Sequence, residues 1–493
     1  MKLVSTRDSA ITAGVTEAIV YGLSKGGGLF APLTLPKFTL EDIISLADKS
    51  YSEIVSFIAA PFLPDFTYTE LSYFASLAYK NFPDAAAPVV SLNDKTHILE
   101  LFHGPTFAFK DFALQLLPYL LTTSLKKLSI NKTAVILAAT SGDTGSATLE
   151  GFANVTGTKI CVFYPHGGVS AIQKLQMTTQ TGENTKVIGI QGNFDDAQTG
   201  VKKIFGEILA NNKLEEAGYI LSSANSINWG RIVPQIAYYF SAYSSLVSSG
   251  KLKAGCPMNV VVPTGNFGNI LAAYYAKKSG LPIGKLICAS NANNVLTDFV
   301  HTGAYDRNRD FYATISPSMD ILVSSNLERF LFELYNHDSG AVTDLMASLS
   351  ETGYYKVSDA AQQTMSELLY AGYATDTDTK AAIKEVWQKY NHLSDPHTAV
   401  AIKVYNDYLK VTNDNTPAII VSTACPFKFA DAALKALGSP ATGDDFENLS
   451  KLSEISALKV AASLTALRGK KEHHKTLCDP SEMKAQVFNW LGL

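Results

Sequence analysis

The sequence predicts an α/β protein with two doubly wound parallel-sheet domains and an added N-terminal domain. Short apolar runs, each followed by a glycine-bearing turn and a helix, are typical of parallel sheets covered on both faces. Six or more of these units occur along the chain, which is more than one domain comfortably holds. The length of 493 residues also exceeds a single ordinary core.

The elements follow this pattern in chain order. Residues 40–80 have helical spacing of apolar side chains, and a proline- and alanine-rich stretch at 81–88 resembles a linker. The sequence then predicts buried strands at residues 134–139, 159–163, 186–190, 259–262, 285–288 and 418–421. We therefore expect an N-terminal domain at 1–95, a catalytic region of two α/β subdomains at 96–440, and a C-terminal helical extension at 441–493.

Composition narrows the range of partners. The 41 basic and 45 acidic side chains give a net charge of −4, which argues against nucleic acid as the main ligand. The five scattered cysteines form no C-x-x-C pair, so neither a disulfide framework nor a structural metal site is expected. No apolar stretch approaches the length needed to span a bilayer, and the first residues lack the apolar core of a signal peptide. We expect a cytoplasmic protein without a membrane partner, either a monomer or a homodimer.

The loop after the predicted strand at 259–262 is the most informative site. Its residues Gly265, Asn266, Phe267, Gly268 and Asn269 lie between a strand and a helix and carry no charge. Glycines permit close backbone approach, and the free N–H groups of a helix start favour a phosphate. The alternative is a plain strand-to-helix turn. The loop matches neither the Walker A nor the Rossmann spacing, so a nucleotide is not the first choice of ligand.

Lys110 is the candidate nucleophile. It stands among three phenylalanines and an alanine, and an apolar environment lowers the pKa of a lysine and frees its amine for a Schiff base. The alternative is a lysine that extends to the surface and pairs with Asp111.

Two further loops contain candidate anion-binding groups. The turn Ser141, Gly142, Asp143, Thr144 combines hydroxyls with free N–H groups, which suits a carboxylate, although an ordinary helix cap has the same pattern. Asn225, Asn228 and Arg231 could form an anion fork, and a surface loop with one salt bridge is the alternative. Thr423 at a strand end is not specific by itself. Together, a desolvated lysine, a phosphate loop and a carboxylate loop are what pyridoxal phosphate and an amino-acid substrate require.

With these residues assembled, the chain resembles the threonine synthase family, which has the tryptophan-synthase-β-like fold of pyridoxal-phosphate enzymes. The resemblance rests on motifs in one order over most of the chain, from residues 5–7 and 27–30, through 103–111, 139–147, 223–234, 263–269 and 395–399, to 422–429. It implies that Lys110 is the Schiff-base lysine, that Gly265, Asn266, Phe267 and Asn269 hold the cofactor phosphate, and that Thr423 faces the pyridine nitrogen. The loop from Ser141 to Thr144 is similar to the one that takes the substrate α-carboxylate.

The resemblance also implies a reaction, the conversion of O-phospho-L-homoserine and water to L-threonine and phosphate. Because two amides and an arginine lie close together in sequence, we expect Asn225, Asn228 and Arg231 to help bind the substrate phosphate. Two alternatives stay open. The first is a related phospho-lyase that releases a 2-oxo acid, and the second is a non-catalytic protein that binds a phosphorylated metabolite.

Overall fold

The structure is a computed structural model that describes residues 1–209 and 213–493. Its strands are β1 (Leu3–Ser5), β2 (Asp8–Ala13), β3 (Phe30–Pro32), β4 (Val89–Ser91), β5 (Thr96–Glu100), β6 (Thr133–Ala139), β7 (Thr158–Pro165), β8 (Thr185–Ile190), β9 (Tyr219–Ser222), β10 (Met258–Pro263), β11 (Ile283–Ser290), β12 (Ala304–Asp306), β13 (Tyr354–Lys356), β14 (Leu369–Tyr373), β15 (Ala418–Ser422) and β16 (Thr476–Cys478).

The helices alternate with these strands along most of the chain. They are α1 (Val15–Tyr21), α2 (Leu40–Ile44), α3 (Tyr51–Ala59), α4 (Tyr68–Ala78), α5 (Asp111–Leu114), α6 (Leu117–Lys127), α7 (Asp143–Phe152), α8 (Ala171–Thr178), α9 (Phe194–Leu209), α10 (Lys213–Glu216), α11 (Trp229–Ser248), α12 (Gly268–Lys278), α13 (Val295–Thr302), α14 (Leu327–Leu334), α15 (Ser339–Thr352), α16 (Asp359–Leu368), α17 (Asp376–Tyr390), α18 (Pro396–Thr412), α19 (Ala430–Ala436), α20 (Asp445–Ser456), α21 (Ala462–Thr465) and α22 (Met483–Leu491).

Two sheets that are almost wholly parallel form the centre of the molecule and confirm the predicted fold class. The larger has the strand order β14-β11-β10-β15-β5-β4, in which only β4 runs antiparallel to its neighbour. The smaller has the order β16-β8-β7-β6-β9, and all its strands are parallel. Each of the six apolar runs noted in the sequence lies within one of these strands.

The N-terminal segment combines the predicted helices with a sheet that the sequence pattern did not indicate. Strands β1, β2 and β3 form a three-stranded antiparallel sheet. The helices α2, α3 and α4 begin with capping boxes, in which a Ser or Thr and an acidic residue three positions later satisfy the free N–H groups. Apolar side chains of this segment share one buried cluster with α11, so the segment packs directly on that helix.

The C-terminal segment also contains a strand besides its helices. Strand β16 pairs in parallel with β8 and completes one edge of the smaller sheet. Gly189 on β8 allows this approach, because a Cβ there would come within 2.5 Å of the Leu477 side chain. The division of the chain at residues 95 and 440 stays a prediction. None of the helices in the described ranges is both long and apolar enough to cross a membrane.

Candidate active site

The candidate site lies at the carboxyl ends of three neighbouring strands of the larger sheet. Strands β10, β15 and β5 are adjacent, and they lead into the glycine loop, Thr423 and the segment that carries Lys110. Ligands of open α/β sheets bind at this edge. A cavity of about 590 Å³ opens there, and its lining includes these sequence-predicted residues: Lys110, Ser141, Thr144, Asn225, Arg231, Gly265, Asn266, Phe267, Asn269 and Thr423.

The Lys110 segment is anchored to the end of β15. The Phe109 N–H donates to the carbonyl oxygen of Thr423 at 2.9 Å, and Ala108 pairs with Ala424 in an isolated antiparallel bridge. The Lys110 ammonium lies 4.7 Å from the centroid of the Phe109 ring. The lysine therefore enters the cavity from a backbone that is fixed beside the strand carrying Thr423.

The electrostatic environment of Lys110 favours its neutral amine. Burial is the main cause and, together with the positive charges of Arg231 and Lys428, lowers its pKa to about 8 against the opposing effect of Asp143. The alternative of a pair with Asp111 fits poorly, because the Asp111 carboxylate accepts hydrogen bonds from the N–H and hydroxyl of Thr106 at 2.8 and 2.7 Å. A lysine with this pKa can take up and release protons near neutral pH.

The glycine loop reaches its shape through two backbone features. Phe267 has a φ of 62° immediately before α12, a conformation that is strained for an aromatic residue and that persists only where packing enforces it. Its ring is 2% exposed and packs on Phe330 at 5.4 Å. A side chain at Gly265 would be crowded, because its Cβ would lie 3.0 Å from the Ser318 carbonyl oxygen. The loop thus presents backbone N–H groups at the start of an 11-residue helix.

Asn269 supplies the clearest sign of an absent acceptor. Its side-chain oxygen accepts hydrogen bonds from the hydroxyls of Tyr238, at 2.7 Å, and Tyr239. Burial raises the pKa of both tyrosines well above the usual range, so they stay protonated as donors. The Asn269 amide nitrogen is buried and has no hydrogen-bond partner among residues 1–209 and 213–493. A buried donor left unpaired costs about 1–3 kcal/mol, and a phosphate in the loop would satisfy it.

The turn after β6 presents hydroxyls to the cavity and turns its carboxylate away. The Thr140 hydroxyl accepts hydrogen bonds from the N–H groups of Gly142 and Gly145 at 2.9 and 2.8 Å. Ser141 and Thr144 line the cavity, whereas Gly142 and Asp143 do not. Gly142 has a φ of 130°, which L side chains rarely adopt.

The Asp143 carboxylate supports the turn from within the protein, and the assignment of the whole turn, Asp143 included, to a substrate carboxylate stays a prediction. Its carboxylate lies 2.6 Å from the Lys428 ammonium and accepts a hydrogen bond from the Gln173 amide at 2.9 Å. Burial alone would raise its pKa, but the charges of Lys428 and Lys110 outweigh burial and hold the pKa well below the ordinary value. The Asp143 carboxylate is therefore ionised and already paired with Lys428 and Gln173.

The third predicted cluster divides into cavity residues and a helix cap. Asn225 and Arg231 line the cavity, and Arg231 is 2% exposed, so a surface salt bridge does not describe it. Burial lowers the pKa of Arg231 to about 10, and its Nε has no hydrogen-bond partner in the described part of the chain. Asn228 does not belong with these two. It is the N-cap of α11, and its amide donates to the carbonyls of Ile19 and Ser223, so the structure corrects its assignment as a phosphate ligand.

Other cavity residues escaped the sequence analysis or had no role in it. His397 lines the cavity; its Nδ1 lies 2.7 Å from the buried Asp395, and its Nε2 accepts the Ser318 N–H at 3.2 Å. Arg7 lines the cavity from the N-terminal sheet and makes two hydrogen bonds to Glu328, at 2.9 and 2.7 Å. No local pattern marks an ion pair between residues 321 positions apart.

These groups fit pyridoxal phosphate. The Lys110 amine, with its lowered pKa, matches the aldehyde of the cofactor. The loop of free N–H groups, with the unpaired Asn269 donor, matches the phosphate. The Thr423 hydroxyl matches the pyridine nitrogen.

Comparisons with known proteins agree with this geometry. The profile described as "Pyridoxal-phosphate dependent enzyme" matches residues 92–424, "Threonine synthase N terminus" matches 2–79, and "Threonine synthase, C-terminal" matches 398–470. The chain is 40% identical to the threonine synthase of Pseudomonas aeruginosa over 449 residues, which cover 88% of this chain and 90% of that protein. The solved structure of pyridoxal-phosphate-bound threonine synthase from Brucella melitensis matches with a TM-score of 0.88 at 37% identity, over 100% of this chain and 98% of that chain.

A second group of relatives is longer. The chain is 43% identical to threonine synthase-like 1 of Pongo abelii over 434 residues, which cover 86% of this chain but only 58% of that protein. It therefore spans little more than half the length of these relatives. The three profiles nevertheless agree with the match that covers 90% of the Pseudomonas aeruginosa threonine synthase. The chain belongs to the threonine synthase family of pyridoxal-phosphate-dependent enzymes, and its cofactor is pyridoxal phosphate.

Proposed function

We propose that this protein is a threonine synthase, which converts O-phospho-L-homoserine and water to L-threonine and phosphate in the last step of threonine biosynthesis. The observation that carries the proposal is Arg231, a buried guanidinium that lines the same cavity as Lys110 and the glycine loop. The loop accounts for the cofactor phosphate, and Arg231 gives the cavity a second anion-binding group. A substrate with its own phosphate matches that arrangement. The name of the Pseudomonas aeruginosa relative supports the same activity.

Three parts of the chain would hold the cofactor. Lys110 would bond to its aldehyde carbon, the loop of Gly265, Asn266, Phe267 and Asn269 would bind its phosphate, and Thr423 would face its ring nitrogen. Bound pyridoxal phosphate supplies an electron sink next to the substrate amine. A hydroxyl at Thr423, unlike a carboxylate, does not enforce protonation of the ring nitrogen.

Lys110 would move the protons of the reaction. Once displaced by the substrate amine, it would remove the proton from Cα and then one from Cβ, after which phosphate leaves Cγ. A proton is then delivered to Cγ, water adds at Cβ, and a proton returns to Cα. A pKa lowered to about 8, chiefly by burial, lets one amine both accept and donate these protons near neutral pH.

The ends of the substrate would bind at two separate places. Ser141 and Thr144, at the start of the ten-residue helix α7, would take the α-carboxylate. Arg231 and Asn225 would take the substrate phosphate. Asn228 caps the start of α11 and would not contact the substrate phosphate.

Product analysis in ¹⁸O-labelled water tests the reaction. We expect threonine and phosphate in equal amounts, with one ¹⁸O atom in threonine and none in phosphate, because water adds at Cβ and the Cγ–O bond breaks. Release of 2-oxobutyrate and ammonia would instead identify the phospho-lyase, and homoserine with labelled phosphate would identify a phosphatase. Absence of turnover in the cofactor-loaded protein would leave only metabolite binding and refute the proposal.

The Arg231 assignment is tested separately. Arg231→Met should raise the KM for O-phospho-L-homoserine by about tenfold or more, because a charge-assisted contact to phosphate is lost. Binding of L-2-aminobutyrate, which has no phosphate, should change much less. Arg468→Met is the matched control, since Arg468 is 59% exposed and pairs with Asp444 at the surface. Equal effects on both ligands would remove Arg231 from the phosphate site.

A further inference from the structure

A buried ion pair lies directly behind the turn assigned to the substrate carboxylate. The Lys428 ammonium is 2.6 Å from the Asp143 carboxylate, and the two side chains are 0% and 2% exposed. Lys428 also donates to the carbonyl oxygen of Thr106 at 2.8 Å. The pair thus connects the segment before Lys110, the start of α7 and the turn that follows β15.

Stability alone gives a weak reason for this pair. Removing two charges from water costs several kcal/mol per ion, and replacing a buried ion pair with apolar residues is often neutral or stabilising. The pair is also not isolated from the cavity, because the Ser318 hydroxyl, which lines the cavity, lies 3.4 Å from the second carboxylate oxygen of Asp143. This contact links the ion pair to the ligand cavity.

The charge of Asp143 conflicts with the ligand proposed for its turn. Asp143 is the first residue of α7, and Ser141 and Thr144 on either side of it line the cavity. An ionised carboxylate at that place repels a second carboxylate and offsets the positive end of the helix. The positive charge of Lys428, in direct contact with the Asp143 carboxylate, cancels both the repulsion and the loss of positive charge at the helix start.

We propose that Lys428 is a positioning residue, which neutralises Asp143 so that the turn containing Ser141 and Thr144 can bind a carboxylate-bearing substrate. The inference rests on the proposed function for its assignment of that turn. It also has a consequence for Lys110, because Asp143 raises the pKa of Lys110 whereas Lys428 lowers it. Loss of Lys428 alone would therefore also move the pKa of Lys110 upward.

The test compares two ligands that differ only in the carboxylate. L-2-aminobutyrate and n-propylamine are titrated into the cofactor-loaded protein, and binding is followed by the cofactor absorbance. In Lys428→Met, the Kd of L-2-aminobutyrate should rise by about tenfold or more, and that of n-propylamine by less than about twofold. Lys435→Met is the matched control, since Lys435 is 56% exposed and pairs with Asp431 at the surface.

Two variants separate the charge effect from a packing effect. Lys428→Met/Asp143→Asn removes both charges and should restore the wild-type Kd of L-2-aminobutyrate to within about threefold. Asp143→Asn alone keeps the cation and should bind L-2-aminobutyrate at least as tightly as the wild type, which gives a test even if Lys428→Met does not fold. Equal weakening of both ligands in Lys428→Met, or a loss of L-2-aminobutyrate affinity in Asp143→Asn, would overturn the inference.

The outcome is independent of the overall reaction. No phosphorylated substrate and no turnover enter the binding assay, so a protein that makes no threonine can still show the carboxylate-selective effect and support the inference. A protein that makes threonine but shows no selective effect would refute the inference alone.

Discussion

We predict that Lys110 lowers the stability of the cofactor-free protein at neutral pH and that Lys110→Met removes this penalty. Burial, as the largest cause, moves the pKa of Lys110 from 10.5 to about 8. The unfolded chain therefore binds the proton more tightly than the folded chain does. Stability rises as the pH increases from about 8 to about 10.5, because the charged form is disfavoured only in the folded state.

The size of the effect follows from the shift. The difference between 10.5 and about 8 corresponds to about 3 kcal/mol. The Phe109 ring, 4.7 Å from the ammonium, stabilises the charged form and offsets about 1 kcal/mol. We expect Lys110→Met to gain about 2–3 kcal/mol at pH 7. With an unfolding entropy of about 2 cal/mol/K per residue over 493 residues, this gain raises the Tm by about 2–3 °C.

The assay is thermal unfolding of both proteins at pH 7 and pH 10.5 after removal of pyridoxal phosphate. The variant should be the more stable at pH 7, and the difference should shrink strongly at pH 10.5. Lys435→Met controls for loss of a surface lysine. A stability difference that is the same at both pH values would indicate a packing effect and refute the reasoning, as would a variant less stable than the wild type at pH 7.

Three further predictions concern residues that line or support the cavity. Gly142→Ala should weaken amino-acid binding to the cofactor-loaded protein and lower the Tm, because a Cβ would come within 2.4 Å of Gln173 on a backbone with a φ of 130°; unchanged L-2-aminobutyrate titrations would contradict this. Asn269→Ala should weaken pyridoxal phosphate binding by about tenfold through loss of its unpaired donor, measured by fluorescence titration of the cofactor-free protein, and unaltered affinity would show that the donor does not reach the phosphate. Glu328→Gln should lower the Tm by about 1–3 °C, because Arg7 loses its charged partner. The double variant Arg7→Met/Glu328→Gln should recover part of that loss. A double variant no more stable than the single variant would argue against the ion pair.

The sequence predicts the parts of the fold whose signal is local. Strands such as β6 and β10 are buried on both faces, so they appear as continuous apolar runs. Strand β5 has the sequence Thr-His-Ile-Leu-Glu, and because its ends are polar, its apolar run is too short to be predicted as a buried strand. Strand β16 is three residues long and gains its place only by pairing with β8, far away in the chain.

The same distinction holds for the candidate site. Lys110 and the glycine loop are recognisable because the unusual neighbours are adjacent in sequence. Asn228 could not be separated from Asn225, because an asparagine that caps a helix and one that faces a ligand need the same amide group. The sequence also did not reveal the partner of Asp143, because its ion pair with Lys428 forms only in the assembled fold.

The position of β15 in the middle of the larger sheet has a consequence for the order of synthesis. Strand β5 is made early but pairs on one side with β15, which is followed directly by Thr423. At about 5–20 residues per second, the ribosome needs on the order of 20–60 s to pass from β5 to β15. β10 is made about halfway through that interval, and from then on the backbone edges of β5 and β10 that pair with β15 stay unpaired until β15 is made. A ribosome that stalls before residue 418 leaves a polypeptide with an incomplete cofactor pocket and two exposed sheet edges, a natural target for chaperones and proteases.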